Sequence, residues 1–478
     1  MKEGLKQQII SGLFWKFGER ILAQGVSFFV SLILARMLLP EEYGTVALVL
    51  VFINLANVFV TNGLGESLIQ RSDVKQKEFS TMFYCSLFFS ILLYLLLYLS
   101  SSFIAKFYNN NELILIIRIL GLQVPLSSIN TIQQAYVSKN MMFKKFFYST
   151  LGGTVISGII GIILAYKGAG IWALVVQYML NTIINTCILF ITVRWRPTLE
   201  FDKNSASSLF EYGWKLVMAQ FINQFYIEIK NLSIGKIYTT ADLAAYNKGE
   251  QFPSVLVMNI NNAISSVLFP AMSLANQKKG KLKELTRKSM LTSSYVIFPI
   301  IMGLMATAEP LIRLLLTEKW LICVPFLKIS CIFWMFQPLQ TANIQAIKAI
   351  GRSDMCLKLE VLKKIIGIIF LIIAIQISPI AIAVANALFG CVSATLNIIP
   401  NKKLIDYGIK EQAKDIFPAL LLSILMYFLV SFVIRIGFSD IITIILQVIL
   451  GITTYIIGSF IFKLEAFKYI LNMIKRKI

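Results

Sequence analysis

The chain has 478 residues, 57% hydrophobic and 14% charged, with a mean hydropathy of +0.75. A soluble globular chain is roughly 45–50% apolar and about 25% charged, so an ordinary soluble fold is excluded. The net charge of +21 would suggest nucleic acid in a soluble protein, but in a membrane protein it is topogenic charge in cytoplasmic loops, and no nucleic-acid partner is expected.

The N-terminus, MKEGLKQQII, lacks the apolar core and small-residue cleavage site of a signal peptide, so the first span is expected to be retained. A bilayer-spanning helix needs about 20 apolar residues, and stretches of that length recur about fourteen times. The expected spans are Leu13–Leu39, Thr45–Gly65, Phe79–Ser100, Leu113–Val137, Tyr148–Tyr166 and Ile171–Val193. Leu209–Tyr238, Phe252–Leu274, Met290–Ala308, Leu321–Ile347, Leu362–Ile377 and Ile380–Ile399 follow, then Phe417–Ile436 and Ile441–Phe462. The expected fold is all-α and polytopic.

The first span is greasy but carries Lys16, Glu19, Arg20, Gln24, Ser27 and Ser31. The positions 16, 20, 24, 27 and 31 advance by three or four and so draw one polar stripe. A stripe of this kind lines a wet cavity or meets other protein, because lipid cannot satisfy it.

Starting inside, alternate loops are rich in Lys and Arg, for example Lys139/Lys144/Lys145, Lys278–Lys288 and the tail from Lys463. About thirty basic residues fall on one side against about eight on the other. Both termini are therefore expected in the cytoplasm. No loop is long enough to hold a soluble domain. The longest connections, all basic, follow the sixth, eighth and twelfth spans, and the expected units are 1–200, 201–405 and 406–478.

The two halves echo each other. Trp15-Lys16 corresponds to Trp214-Lys215, and Ala35-Arg36 to Gly235-Lys236, at offsets of 199 and 200. PLSSINTIQQA at Pro125–Ala135 is similar to PLQTANIQAIKA at Pro338–Ala349, with Pro125/Pro338 and Asn130/Asn343 both 213 apart. Chance likeness between apolar segments is the competing explanation. Two six-helix bundles related this way would bind a ligand between them near the midplane. The last two spans stand outside the repeat.

The seventh span has its own stripe of Gln220, Asn223, Gln224, Glu228 and Asn231. Lys16, Arg20 and Lys215 would attract an anion, since Arg grips phosphate bidentately and Lys is a point charge. Gln24, Gln220, Asn223 and Gln224 suit a hydroxyl-rich cargo such as a sugar. Lys16, Lys215, Arg118 and Lys328 have the alternative of snorkelling to the headgroups. Glu228 is the one clear mid-membrane acid and the candidate for coupling to a proton or sodium ion; no other cofactor is expected.

The chain has no histidine, no CxxC among its six cysteines and no phosphate-binding glycine loop, so no metal site and no enzymatic activity are expected. Pro125, Pro270, Pro299, Pro325, Pro338 and Pro418 would kink or end helices. GGTVISGIIG at Gly152–Gly161 reads as a close-packing face.

The opening LFWKFGERILAQGVSFFVSLILARMLLPEEYGTVAL, with its ARxLxPxEYG pattern, then NGLGESLIQR at Asn62–Arg71, resembles bacterial polysaccharide flippases. GKIYTTADLAAYNKGEQFP at Gly235–Pro253 is similar to that family too, which belongs to the multidrug/oligosaccharidyl-lipid/polysaccharide exporter superfamily. The resemblance covers most of the chain. It implies two six-helix bundles in a V with two further C-terminal helices. It also implies flipping of an undecaprenyl-pyrophosphate-linked oligosaccharide between leaflets of the bacterial inner membrane by alternating access, for O-antigen, capsule or exopolysaccharide synthesis. Polysaccharide polymerases and glycosyltransferases would be its partners. The family's cationic cavity matches Arg20 and Lys215 in kind. A drug or cation antiporter of the same superfamily is the alternative, less apt because the first span has Lys16 and Arg20 and no aspartate. A polymerase or ligase would need a large outer loop, which the chain lacks.

Overall fold

The structure, a computed structural model, describes residues 2–61, 76–275 and 279–475. For some helical residues, among them Lys16, Glu19, Arg20 and Lys215, it describes the backbone alone. The Asn62–Arg71 motif and Lys75 lie outside the described residues.

Every regular element described is a helix, as apolar surroundings demand of a chain that must satisfy its own backbone. In chain order they are α1 (Lys2–Met37), α2 (Pro40–Thr61), α3 (Gln76–Tyr108), α4 (Glu112–Gly121), α5 (Gln123–Lys139) and α6 (Phe143–Tyr166). Next come α7 (Ile171–Thr192), α8 (Lys203–Ile237), α9 (Thr240–Leu274), α10 (Lys279–Ala306), α11 (Ala308–Leu316) and α12 (Val324–Met335). The last are α13 (Gln337–Ala349), α14 (Ser353–Ala374), α15 (Pro379–Leu404), α16 (Ile409–Phe432), α17 (Asp440–Ile461) and α18 (Glu465–Lys475).

Among the described residues, ten helices, counting α4 with α5 and the run Glu318–Ala349 as one each, are long and apolar enough to cross a membrane. The chain is a multi-pass membrane protein. The other long helices, α1, α8, α9 and α14, have 36, 35, 35 and 22 residues. The segment Lys279–Lys288, read from its charges as part of a loop, forms the first turns of α10. Leu282, Thr286 and Ser289 are buried along one side of it, so the helix continues past its apolar part.

The described chain clusters into two compact units, Met1–Ala244 and Ala245–Ile478. This grouping sets α8 with the first unit.

In the first unit, α6 is the hub between α1 and α7, and its small residues let both approach. A Cβ on Gly158 would lie 2.5 Å from Val30, and one on Gly161 2.8 Å from Gln177. The joints α1–α2 and α8–α9 are capped alike. The Leu39 N–H donates to Glu42 at 2.7 Å, and the Thr239 N–H to Asp242 at 3.2 Å, positions 200 apart. Gly44 sits against the second joint, where its Cβ would be 1.7 Å from the Thr240 carbonyl oxygen.

The corresponding fourth and tenth spans also break alike. The helix is interrupted at Leu122 in one and at Phe336 in the other, with Pro125 and Pro338 in the first turn of the helix that follows. Pro299 and Pro418 lie inside continuous helices.

In the second unit, α16 and α17 are fastened to α10 by buried polar bonds. The Tyr295 hydroxyl and Ser459 are 3.0 Å apart, the Tyr455 hydroxyl donates to the Tyr295 carbonyl at 3.0 Å, and Gln447 Nε2 donates to the Val430 carbonyl at 3.2 Å. An amide cluster joins three helices: Asn343 Nδ2 donates to Gln412 Oε1 at 2.8 Å, and Asn401 Nδ2 to Asn343 Oδ1 at 2.7 Å.

Gly44→Ala tests the close joint. A methyl group there must push backbone aside, so the variant should lose about 1–3 kcal/mol of stability. Thermal unfolding of the purified protein reads this, and an unchanged midpoint contradicts the packing described.

Candidate functional site

The polar stripes of α1 and α8 both belong to the first unit. The N-terminal half of α1 is held at Trp15, whose ring centroid lies 5.2 Å from that of Phe147 and 6.2 Å from that of Tyr148, both on α6. Lys144 Nζ lies 5.3 Å from the Trp15 ring centroid. Further along α1, Ala23, Val30, Leu34 and Ala35 are buried, while Gln24 and Ser27 are exposed. On α8, Gln220 and Asn223 are exposed and Gln224 is half-buried. The side chains of Lys16, Arg20 and Lys215 lie outside the described residues. Their backbones place them on α1 and α8, toward the N-terminal end from these amides.

Glu228 behaves differently from the rest of its stripe. It is 5% exposed and faces α2. Asn54 Nδ2 on α2 donates to its Oε1 at 3.0 Å, and Gln224 Nε2 donates to the same oxygen at 2.9 Å. Asn231 Nδ2 donates to Oε2 at 2.9 Å. Gln224 and Asn231 stand four residues before and three after Glu228, so one helix supplies two donors and α2 the third. These donors are neutral amides, which hold a carboxylate without cancelling its charge.

The rest of the α2–α8 seam is apolar and aromatic. Phe59 and Phe221 have ring centroids 5.0 Å apart, and a Cβ on Gly235 would lie 2.9 Å from Leu48. The α3 helix closes the C-terminal end of α8: the Tyr108 hydroxyl donates to the Leu232 carbonyl at 3.3 Å, and Lys236 donates to the Phe107 carbonyl.

Arg118, one of the charges placed within a span, is held by α3. Its Nε donates to Ser101 Oγ at 3.1 Å, and its guanidinium lies 4.4 Å from the Tyr98 ring centroid. Lys328 is half-buried on α12. Asn54 was not picked out from the sequence. Its signal was an amide, with Asn57 one turn on, inside one of the most apolar helices.

The cage predicts a specific coupling. Asn54→Leu removes one donor from a buried carboxylate and should cost about 1.5–3 kcal/mol. The double variant Asn54→Leu/Glu228→Leu should recover part of that loss. Thermal unfolding of the four proteins of the cycle measures it, and additive effects would rule the contact out.

Comparison with known proteins follows from this arrangement. A profile described as "Polysaccharide biosynthesis protein" matches residues 33–325. The chain is similar to the teichuronic acid biosynthesis protein TuaB of Bacillus subtilis, at 26% identity over 73% of this chain and 73% of that one. It is also similar to the lipopolysaccharide biosynthesis protein WzxC of Escherichia coli, at 24% identity over 83% and 78%. In fold it is similar to the lipid II flippase MurJ in an inward closed conformation, with a TM-score of 0.73 at 17% identity, over 95% of this chain and 98% of that one.

Proposed function

The chain belongs to the polysaccharide biosynthesis protein family, and we propose that within it this protein is a flippase for a lipid-linked oligosaccharide. It would carry an undecaprenyl-pyrophosphate-linked repeat unit from the cytoplasmic to the outer leaflet by alternating access, for O-antigen, capsule or exopolysaccharide. The observation that carries this reading is the pair of helices α1 and α8. Each is of membrane-spanning length, yet each exposes amides, Gln24 on one and Gln220 and Asn223 on the other. Amides exposed at membrane depth require water or a polar cargo. The similar proteins named for teichuronic acid and lipopolysaccharide synthesis, and the lipid II flippase with the same fold, support a saccharide on a lipid as that cargo.

In this reading Lys16, Arg20 and Lys215 meet the pyrophosphate, and Gln24, Gln220, Asn223 and Gln224 line the path of the sugar. The polyprenyl tail stays in lipid. The protein moves its cargo without making or breaking a covalent bond. Glu228 is the coupling acid: a proton or sodium ion taken up by its carboxylate would weaken the bonds from Asn54 and loosen α2 from α8. The four long polar helices α1, α8, α9 and α14 cross the membrane with the ten apolar ones, giving fourteen spans in two six-helix bundles plus α16 and α17. Both termini lie in the cytoplasm, as the loop charges favour. Glycosyltransferases supply the cargo, and a polymerase consumes it.

Two outcomes test this. Arg20→Ala should abolish surface polysaccharide while membrane insertion, measured by fractionation, stays intact; normal polysaccharide would sink the assignment. Glu228→Gln should keep the fold and lose at least about tenfold in export rate under an imposed ion gradient, since neutralising the acid removes what the ion binds. An unchanged gradient dependence would remove Glu228 from coupling.

A further inference from the structure

The second unit ends in α18, whose sequence EAFKYILNMIK puts Phe467, Ile470 and Leu471 on one side and Glu465, Lys468 and Asn472 on the other. It follows a fixed turn. Lys463 is left-handed at φ 50°, and the Leu464 N–H bonds the Ser459 carbonyl at 3.1 Å, which reverses the chain at the end of α17.

The helix is pinned at its first residue. Arg287 of α10 forks to two acids: it meets Asp415 of α16 at 2.9 Å and donates from Nη1 to Glu465 at 2.7 Å. The Tyr407 hydroxyl donates to the same Asp415 at 2.6 Å. Ala466 is buried, and the Phe467 ring centroid lies 6.3 Å from that of Tyr295. One edge of the apolar face is thus covered by the unit itself. The other edge is open: Leu471 is 38% exposed.

Between α10 and α18 runs a cleft of about 220 Å³ whose lining includes the apolar Leu291 and Ala466 together with Lys288, Lys468, Tyr469 and Glu465. It is smaller than the roughly 300–1,000 Å³ of sites for drug-sized ligands. The one acid of the segment, Glu465, is taken by Arg287. Lys288 Nζ is paired with Glu284 and lies 5.4 Å from the Tyr469 ring centroid. From Lys463 to Lys477 the chain has five basic residues and one acidic one. Charge surplus, an open apolar edge and a small cleft with Lys288 and Lys468 in its lining therefore meet at the end of a membrane-spanning helix.

We propose that α18 is an interfacial helix that docks on anionic phospholipid of the cytoplasmic leaflet, with Leu471 in the acyl region and one lipid phosphate in the cleft beside Lys468 and Lys288. The proposal rests on the orientation given above and not on the identity of the cargo. Through Arg287 the docked helix holds the inner ends of α10 and α16 at the membrane surface.

The test uses the full chain in nanodiscs of equal phosphatidylglycerol and phosphatidylcholine, with a photo-crosslinking amino acid at Leu471. Mass spectrometry should find phosphatidylglycerol adducts in excess. Lys468→Gln should reduce that excess about fivefold, the factor that corresponds to about 1 kcal/mol per basic residue near an anionic surface. Added inorganic phosphate should leave it unchanged. Equal labelling of the two lipids, an excess unaffected by Lys468→Gln, or adducts with protein only would each overturn the proposal. Loss of the excess in inorganic phosphate would assign the cleft to the free anion and overturn it as well.

Discussion

A polar side chain at membrane depth has three outlets: another protein group, water, or a bound ligand. The first unit is arranged around how its polar residues divide among them. Glu228 takes the first outlet and is caged by Asn54, Gln224 and Asn231. Because Asn54 sits on α2, the cage also fastens α2 to α8. Gln24, Gln220 and Asn223, on helices just as long, are left exposed. That division separates a buried, bonded acid from open amides on one pair of corresponding helices.

The second unit uses the same chemistry for a different end. Its amide cluster at Asn343, Asn401 and Gln412 is buried and bonds across three helices, so it fixes α13, α15 and α16 together. At one end Arg287 gathers Asp415 and Glu465, and toward the other Arg313 reaches Asp440 at 3.2 Å and Glu309 at 2.9 Å. With Gln447 and Tyr455 between, α16 and α17 are tied along their length to the helices before them. The two helices outside the repeat are structural members of this unit.

Much of this was legible in the sequence because the membrane imposes one rule on every span. Apolar length found the ten clear crossings among the described residues. The repeat was read from Trp15/Trp214 and Pro125/Pro338. It reappears in features that were not read: the caps at Glu42 and Asp242, and the breaks at Leu122 and Phe336. What spacing does not encode is the partner. Nothing local to Glu228 names Asn54, 174 positions away, and nothing local to Arg287 names Glu465, 178 away. The charges of Lys279–Lys288 hid a helix for a related reason: composition marked the segment as polar, while the buried side of Leu282 and Thr286 decided its form.

The central claim is that the cationic and amide face of α1 and α8 carries a lipid-linked saccharide across the membrane. Its most direct measurement is made in vesicles that hold the purified protein and the lipid-linked oligosaccharide of its own strain, by counting how much saccharide becomes accessible to an external glycosidase over time. The account predicts a time-dependent rise that Arg20→Ala and Lys215→Ala abolish and that an unrelated surface substitution leaves intact. Equal accessibility with and without the protein, or a rise untouched by either substitution, would contradict it.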